Sequence, residues 1–72
     1  MDYKKIGQFI STLRKNKKLT QEQLANKLNI TKNAVSKWER GLSLPDISII
    51  IPLSEILGVS LYDLLKGEEN DE

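Results

Sequence analysis

The chain has 72 residues, of which 39% are hydrophobic and 29% are charged, the composition of one small folded domain. It contains no cysteine and no histidine, which excludes disulfides, thiolate metal sites and histidine-based catalysis. Residues 1–41 carry ten cations and three acids (net +7), whereas residues 42–72 carry one cation and seven acids (net −6). This division predicts one side that faces a polyanion and another that faces away from it.

Two helices are predicted in the first part of the basic half. A second helix over about residues 21–28 follows a capping box, because Thr20 precedes Gln23 by three residues. Asn29 suits the left-handed turn that would end that helix. The first helix, over residues 3–16, has apolar side chains at the spacing of one helical face: Ile6, Phe9, Ile10 and Leu13.

A third helix is predicted over about residues 31–40. Thr31 is its N-cap, and Gly41 ends it because glycine readily adopts a left-handed backbone. The turn between the second and third helices is about three residues long, which is the spacing of a helix-turn-helix unit. In such a unit the second helix enters the major groove of DNA.

Two further helices are predicted in the acidic half. Asp46 caps a fourth helix over about residues 47–57, and Ser60 opens a fifth helix that ends at Gly67. Pro52 lies inside the fourth helix, where it removes a hydrogen bond and favours a kink. The alternative is an irregular segment before the proline and a helix that starts later.

The chain is expected to form one domain over residues 1–67. Residues 68–72 contain four acids and nothing to bury, so we expect a disordered acidic tail there. The N-terminal segment lacks the apolar stretch of a signal peptide, and no apolar run approaches the roughly 20 residues of a membrane span. A cytoplasmic protein without a membrane partner is therefore expected.

The third helix has two chemically different faces. Val35 and Trp38 fall on one side, as apolar anchors to the core, and core packing is favoured for Trp38 over contact with a partner. A run of lysines alone is most often a solvated face, but asparagine and serine among cations suit hydrogen bonding to base edges. The residues of this opposite side are Lys32, Asn33, Ser36, Lys37 and Arg40.

The segment TQEQLANKLNITKNAVSKWERGLSLPD resembles the helix-turn-helix of the Cro/cI-like (XRE-type) transcriptional regulators. Its flanks, IGQFISTLRKNKKLT and LSEILGVSLYDLL, are also similar to that family, so the resemblance covers about residues 6–66. The resemblance implies an all-α, compact five-helix, lambda-repressor-like DNA-binding domain with its helix-turn-helix at helices 2 and 3.

The resemblance also implies roles for individual residues. The residues expected to read bases are Lys32, Asn33, Lys37 and, more weakly, Ser36. The residues expected to contact the DNA backbone are Gln21, Thr31 and Arg40. Arg14 and Glu39 match an ion pair between the first and third helices, and a partly buried pair is expected rather than a surface pair worth under about 1 kcal/mol.

The fourth helix is more apolar than one helix of a small domain needs. Some of its isoleucines are therefore expected to be exposed or covered by a second chain, unless a tightly wrapped core uses them all. The predicted dimer surface consists of this helix and the loop before it, at Leu42, Leu44, Ile49, Ile51 and Ile56.

Together these features predict a sequence-specific regulator that binds double-stranded DNA, expected to be a repressor that binds a palindromic operator as a homodimer through helix 3. One alternative is an antitoxin that binds a toxin protein and represses its own operon; another is a protein-interaction module that has lost DNA binding. An enzyme is not expected, since the chain has no histidine, P-loop or dinucleotide-binding glycine motif. No cofactor, metal or small-molecule ligand is expected.

Overall fold

Five α-helices follow one another in residues 1–69, the part of the chain that the computed structural model describes, and no strand occurs there. The helices are α1 Tyr3–Asn16, α2 Gln21–Lys27, α3 Lys32–Glu39, α4 Ile47–Leu57 and α5 Leu61–Lys66. The prediction of an all-α, five-helix fold is confirmed.

Polar side chains cap the start of each helix. The Thr20 hydroxyl accepts from the Gln23 backbone N–H at 3.0 Å, and the Gln23 side chain accepts from the Thr20 N–H at 2.9 Å, so the predicted capping box is present. Thr31, Asp46 and Ser60 cap α3, α4 and α5, as predicted. These bonds satisfy backbone donors that a helix N-terminus otherwise leaves without partners.

Left-handed residues reverse the chain after the first three helices. Asn29, with φ 57°, does so after α2, and Gly41, with φ 75°, does so after α3. Lys18, with φ 60°, does so after α1, at a position where no glycine or asparagine signals the turn. This conformation is costlier for lysine than for glycine, because the lysine Cβ crowds the following carbonyl oxygen.

Pro52 lies inside α4, which begins at Ile47 as predicted, so the alternative of a later start is wrong. Proline has no backbone N–H, and the Ser48 carbonyl therefore lacks its usual donor one turn later. The Ser54 hydroxyl donates to the Ile51 carbonyl at 2.7 Å in the same part of the helix. The helix continues through the proline to Leu57.

All five helices contribute to one core, in which α1 contacts α3, α4 and α5, while α2 packs chiefly against α3. Burial of one large aliphatic side chain contributes about 1.5–3 kcal/mol, so this core fixes α2 and α3 against the rest of the domain. The largest fully buried side chains are Ile6, Ile10, Leu24, Val35, Leu53, Leu57 and Leu64.

The helices α1 and α3 approach each other closely at Gly7, which is buried. A Cβ atom added there would lie 2.1 Å from the carbonyl oxygen of Trp38 and 3.1 Å from that of Glu39. Both neighbours are backbone atoms, so no side-chain rotation could relieve the overlap. Gly7 is therefore needed at this crossing, although glycine inside a helix costs up to about 1 kcal/mol relative to alanine.

The chain after α5 returns to α1, where Glu68 forms an ion pair with Lys5 and both side chains remain about half exposed. The predicted disordered tail extends over residues 70–72, which lie outside the described residues. Within residues 1–69, no helix has both the length and the apolar character that crossing a membrane requires.

Candidate nucleic-acid interface

A short, hydrogen-bonded turn joins α2 to α3. The two helices are separated by residues 28–31, and the Ile30 N–H donates to the Ala25 carbonyl at 3.0 Å across the turn. Leu24 and Ala25 anchor α2 in the core. Backbone bonds and core packing thus set the orientation of α3 relative to α2, in the arrangement predicted for a helix-turn-helix unit.

The inner face of α3 is apolar. Val35 and Trp38 have exposed fractions of only 0% and 5%, and Ala34 is half-buried beside them in the sequence. Both residues that the sequence indicated as anchors therefore lie in the core. Their burial fixes the rotation of α3 about its own axis, and with it the direction of the opposite face.

The outer face of α3 is polar and exposed. Lys32, Asn33 and Lys37 are exposed, and none of their side chains forms a hydrogen bond or ion pair with another described residue. Thr31 is also exposed, and its hydroxyl accepts from the Ala34 N–H at 3.3 Å. The face therefore offers two ammonium groups and one carboxamide whose donors are free to bind an approaching acceptor.

Ser36 is engaged with Arg40, one turn further along the same face. The Arg40 Nε–H donates to the Ser36 hydroxyl oxygen at 3.2 Å and to the Ser36 carbonyl at 3.3 Å. Ser36 is half-buried, whereas Arg40 is exposed. The Ser36 hydroxyl can still donate its proton, but it is less free than the side chains of Lys32 and Lys37.

A buried ion pair joins α1 to the end of α3. Arg14 Nε and Nη2 donate to the two carboxylate oxygens of Glu39 at 2.6 and 3.0 Å, and Arg14 Nη1 donates to the Leu19 carbonyl at 2.7 Å. The exposed fractions of the two side chains are 10% and 7%. The one acid of α3 is therefore paired and turned inward, where it does not repel an anion at the outer face.

Gln21, the first residue of α2, binds the same carboxylate. Its Nε2 donates to Oε1 of Glu39 at 2.9 Å, a contact that no sequence pattern indicated. Burial alone would raise the pKa of Glu39, but hydrogen bonds from Arg14 and Gln21 and the positive charge of Arg14 outweigh it, so the pKa lies below its ordinary value. Glu39 is therefore ionised at neutral pH.

The acids of the C-terminal half lie outside α2 and α3. Asp46 and Glu55 are exposed at the cap and on the surface of α4, and Asp63 lies in α5. In the part of the chain described, no three acidic side chains come together as a metal site would require. The polar face of α3 therefore belongs to the basic half of the chain alone.

A second exposed surface is apolar. Leu42, Ile47 and Ile51 have exposed fractions of 61%, 75% and 50% and are hereafter the apolar surface. Ile47 and Ile51 are four residues apart and so lie on one face of α4. Ile47 was absent from the predicted set, because a run of consecutive isoleucines does not reveal the rotation of a helix. The other predicted members, which are half-buried against the core, are Leu44, Ile49 and Ile56.

Comparison with known proteins points to one class. A helix-turn-helix family model matches residues 10–64. The chain is 51% identical over 67 residues to the uncharacterized HTH-type transcriptional regulator YqaE of Bacillus subtilis, a match that covers 93% of this chain and 58% of that protein. It is 42% identical over 64 residues to the HTH-type transcriptional activator BcrR of Enterococcus faecalis, over 89% of this chain and 31% of that protein.

The fold agrees with this class. The P22 c2 repressor, solved in complex with the synthetic operator 9T, superposes with a TM-score of 0.83 at 33% identity, over 88% of this chain and 96% of that chain. The domain is thus a lambda-repressor-like helix-turn-helix domain, and the chain belongs to the XRE-type (Cro/cI-like) family of DNA-binding transcriptional regulators. The chain spans 58% and 31% of the two curated relatives named above.

Proposed function

We propose that the protein is a repressor that binds double-stranded DNA sequence-specifically with α3 in the major groove. The observation that carries this proposal is the exposed polar face of α3, on a helix whose other face is buried in the core. The major groove is about 12 Å wide and admits one α-helix. Because α3 cannot rotate, it presents the same donors to every base pair that it meets.

Lys32, Asn33 and Lys37 are proposed to contact bases. A lysine ammonium can donate to O6 and N7 of guanine, and an asparagine carboxamide can bind adenine through two hydrogen bonds. Ser36 is a weaker reader, because its hydroxyl oxygen already accepts a bond from Arg40.

Gln21, Thr31 and Arg40 are proposed to contact the DNA backbone. They lie at the start of α2, at the start of α3 and just after the end of α3. Contacts with phosphates carry no sequence information, but they fix the position and register of the reading helix. The basic half would thus face the duplex, and the acidic half would face away from it.

A second copy of the chain is proposed to cover the apolar surface, so that two α3 helices read two half-sites. A two-fold dimer places its half-sites about 34 Å apart, one helical turn, and reads a palindromic operator. Three exposed side chains fall short of the roughly 800 Å² per partner of a standard stable interface. The dimer is therefore expected to form cooperatively on DNA and to be weak in free solution.

Repression rather than activation is proposed on the evidence of coverage. The match to the P22 c2 repressor extends over 96% of that chain, whereas the match to the activator BcrR covers 31% of that protein. An activator of that length has other regions that this chain does not match.

Selection from a random pool of double-stranded DNA at physiological salt tests the proposal. We expect a palindrome whose half-sites lie one helical turn apart. A single enriched half-site would keep the reading role of α3 and contradict the dimer. No enrichment by a folded protein would overturn sequence-specific binding.

The salt dependence of binding to the enriched duplex gives an independent measure of the phosphate contacts. Each contact is expected to lower log K by roughly 0.9 for each unit of log salt concentration. An affinity that barely changes between low and physiological salt would contradict a reading helix flanked by phosphate contacts.

A second candidate function, an antitoxin that binds a toxin and represses its own operon, is favoured by one observation. Ile47 and Ile51 are exposed on α4 although the domain has a complete core without them. Purification from the native host distinguishes the two functions. A second polypeptide that stays bound and is released by replacing Ile47 and Ile51 with serine would support the antitoxin.

A further inference from the structure

We propose that Glu39 is a positioning residue for DNA binding, because its buried carboxylate holds the Gln21 side chain at the start of α2 with one amide N–H left for a DNA phosphate. The inference rests on the proposed function. It assigns to Glu39 a role beyond the ion pair with Arg14, and to Gln21 the role of a bridge between that pair and the duplex.

The three side chains form one network across three helices. Oε1 of Glu39, in α3, accepts from Nε2 of Gln21, in α2, at 2.9 Å and from Nη2 of Arg14, in α1, at 3.0 Å. Oε2 of Glu39 accepts from Nε of Arg14 at 2.6 Å. The position of the Gln21 amide is thereby tied to a carboxylate that Arg14 holds from both sides.

Burial separates the roles within the network. The Arg14 and Glu39 side chains are only 10% and 7% exposed, so neither offers much surface to a duplex. Gln21 is half-buried and retains some exposed surface. Of the three residues, Gln21 is the member through which the network can reach a ligand outside the domain.

The chemistry of the amide fits a bridging role. A glutamine amide nitrogen carries two N–H donors, and the described contacts of Gln21 use one of them, toward Glu39. A donor is what a phosphate oxygen needs. Because the bond to Glu39 already restricts the rotamers of Gln21, less conformational freedom is lost when the phosphate binds.

A competing explanation is that the Gln21–Glu39 bond only fastens α2 to α3. The two explanations differ in what they predict for a single phosphate. A fastening role changes stability and weakens binding evenly along the duplex, whereas a bridging role couples Gln21 to one phosphate and makes that coupling depend on Glu39.

The test uses the duplex enriched in the selection, with its phosphates replaced one at a time by neutral methylphosphonates. For the wild-type chain, neutralising the phosphate bound by Gln21 is expected to weaken binding about tenfold, equivalent to about 1.4 kcal/mol. In Gln21→Ala the same replacement is expected to have almost no further effect. Gln8→Ala removes an exposed glutamine of α1 and is expected to behave like the wild type at every phosphate.

The role of Glu39 is tested by repeating the scan in Glu39→Gln, with folding at the assay temperature checked by circular dichroism. The coupling between Gln21 and its phosphate is expected to fall from about tenfold to less than about twofold. If this variant does not fold, the double variant Arg14→Met with Glu39→Met replaces it, because exchanging both partners of a buried pair for apolar residues is often neutral or stabilising.

The outcomes separate the inference from the proposed function. Full coupling in a folded variant without the Glu39 carboxylate would overturn the positioning role. Specific binding by the wild type without any phosphate coupled to Gln21 would overturn the bridge and leave DNA binding intact. Absence of specific binding by the wild type would overturn both.

Discussion

The helices α3 and α4 present opposite chemistry to solvent. Both bury an apolar inner face, but the outer face of α3 carries Lys32, Asn33 and Lys37, whereas that of α4 carries Ile47 and Ile51. The first set offers hydrogen-bond donors to a polyanion, and the second offers apolar area to a protein. Reading DNA and assembling a dimer are therefore expected to be separable by substitution.

Gly7→Ala is expected to have the largest effect, because the orientation of the polar face depends on the crossing of α1 and α3. The added methyl would meet the Trp38 carbonyl oxygen at 2.1 Å, so the helices must separate. We expect a loss of about 3 kcal/mol in the free energy of unfolding, measured by urea denaturation. Gln8→Ala, at an exposed position of the same helix, should remain within about 0.5 kcal/mol of the wild type.

An unchanged free energy of unfolding in Gly7→Ala would show that α1 and α3 can separate without cost. In that case the rotation of α3, and with it the set of side chains that face the groove, would not be fixed as the structure indicates.

Lys32→Ala and Lys37→Ala probe the polar side of the comparison. Each is expected to weaken binding to the enriched duplex by about 1–3 kcal/mol, and to relax the base preference at one position of each half-site. Lys66→Ala removes a cation from α5 and is expected to change affinity less than twofold. Equal losses in all three variants, measured by fluorescence anisotropy, would mean that net charge and not the face of α3 determines binding.

Replacing Ile47 and Ile51 with serine probes the apolar side. Both side chains are exposed, so the free energy of unfolding is expected to change by no more than about 0.5 kcal/mol. Cooperative binding to a duplex with two half-sites should weaken about tenfold, or about 1.4 kcal/mol, while binding to one half-site stays unchanged. Retained cooperativity would place the dimer contact elsewhere on the chain.

Acidification should affect the polar side through Glu39. Its pKa lies below the ordinary 4.5, so its contribution to stability is complete above the pKa of the unfolded chain and is lost as the pH falls through the pKa of the folded chain. One such group changes the free energy of unfolding by at most about 1.4 kcal/mol per pH unit. The groups bonded to it are Arg14 and Ser11 from α1 and Gln21 from α2.

The double variant Arg14→Met with Glu39→Met is the matched control for acidification. Its free energy of unfolding should depend less on pH below 4.5 than that of the wild type. The lowered pKa values of Asp46 and Glu68 leave a residual slope in both proteins. Equal slopes in thermal melts between pH 5 and 3 would contradict an ionised Glu39 in the folded network.

The helices and their ends could be predicted because the signals are local. Thr20 with Gln23 and Thr31 before Val35 each act within one turn, and the observed caps lie where these residues predict them. The apolar spacing of α1 likewise identified three of its buried residues, Ile6, Ile10 and Leu13. Such features depend on neighbours along the chain and not on how the helices pack.

The features that depend on packing could not be predicted in this way. Gly7 is required by backbone atoms of Trp38 and Glu39, which are distant in sequence, although a glycine inside a helical pattern is itself a sign of close approach. The bond from Gln21 to Glu39 needs the mutual orientation of α2 and α3. Which isoleucines of α4 face solvent depends on its rotation, so Ile47 was missed.

The central claim is that the outer face of α3, and not that of α4, meets DNA. The most direct test is to titrate the ¹⁵N-labelled chain with a duplex that contains one half-site and to follow every amide by NMR. We predict the largest shifts at Gln21 and in residues 31–40, with Ile47 and Ile51 unchanged. Shifts confined to α4 and α5, with residues 31–40 unaffected, would contradict the account.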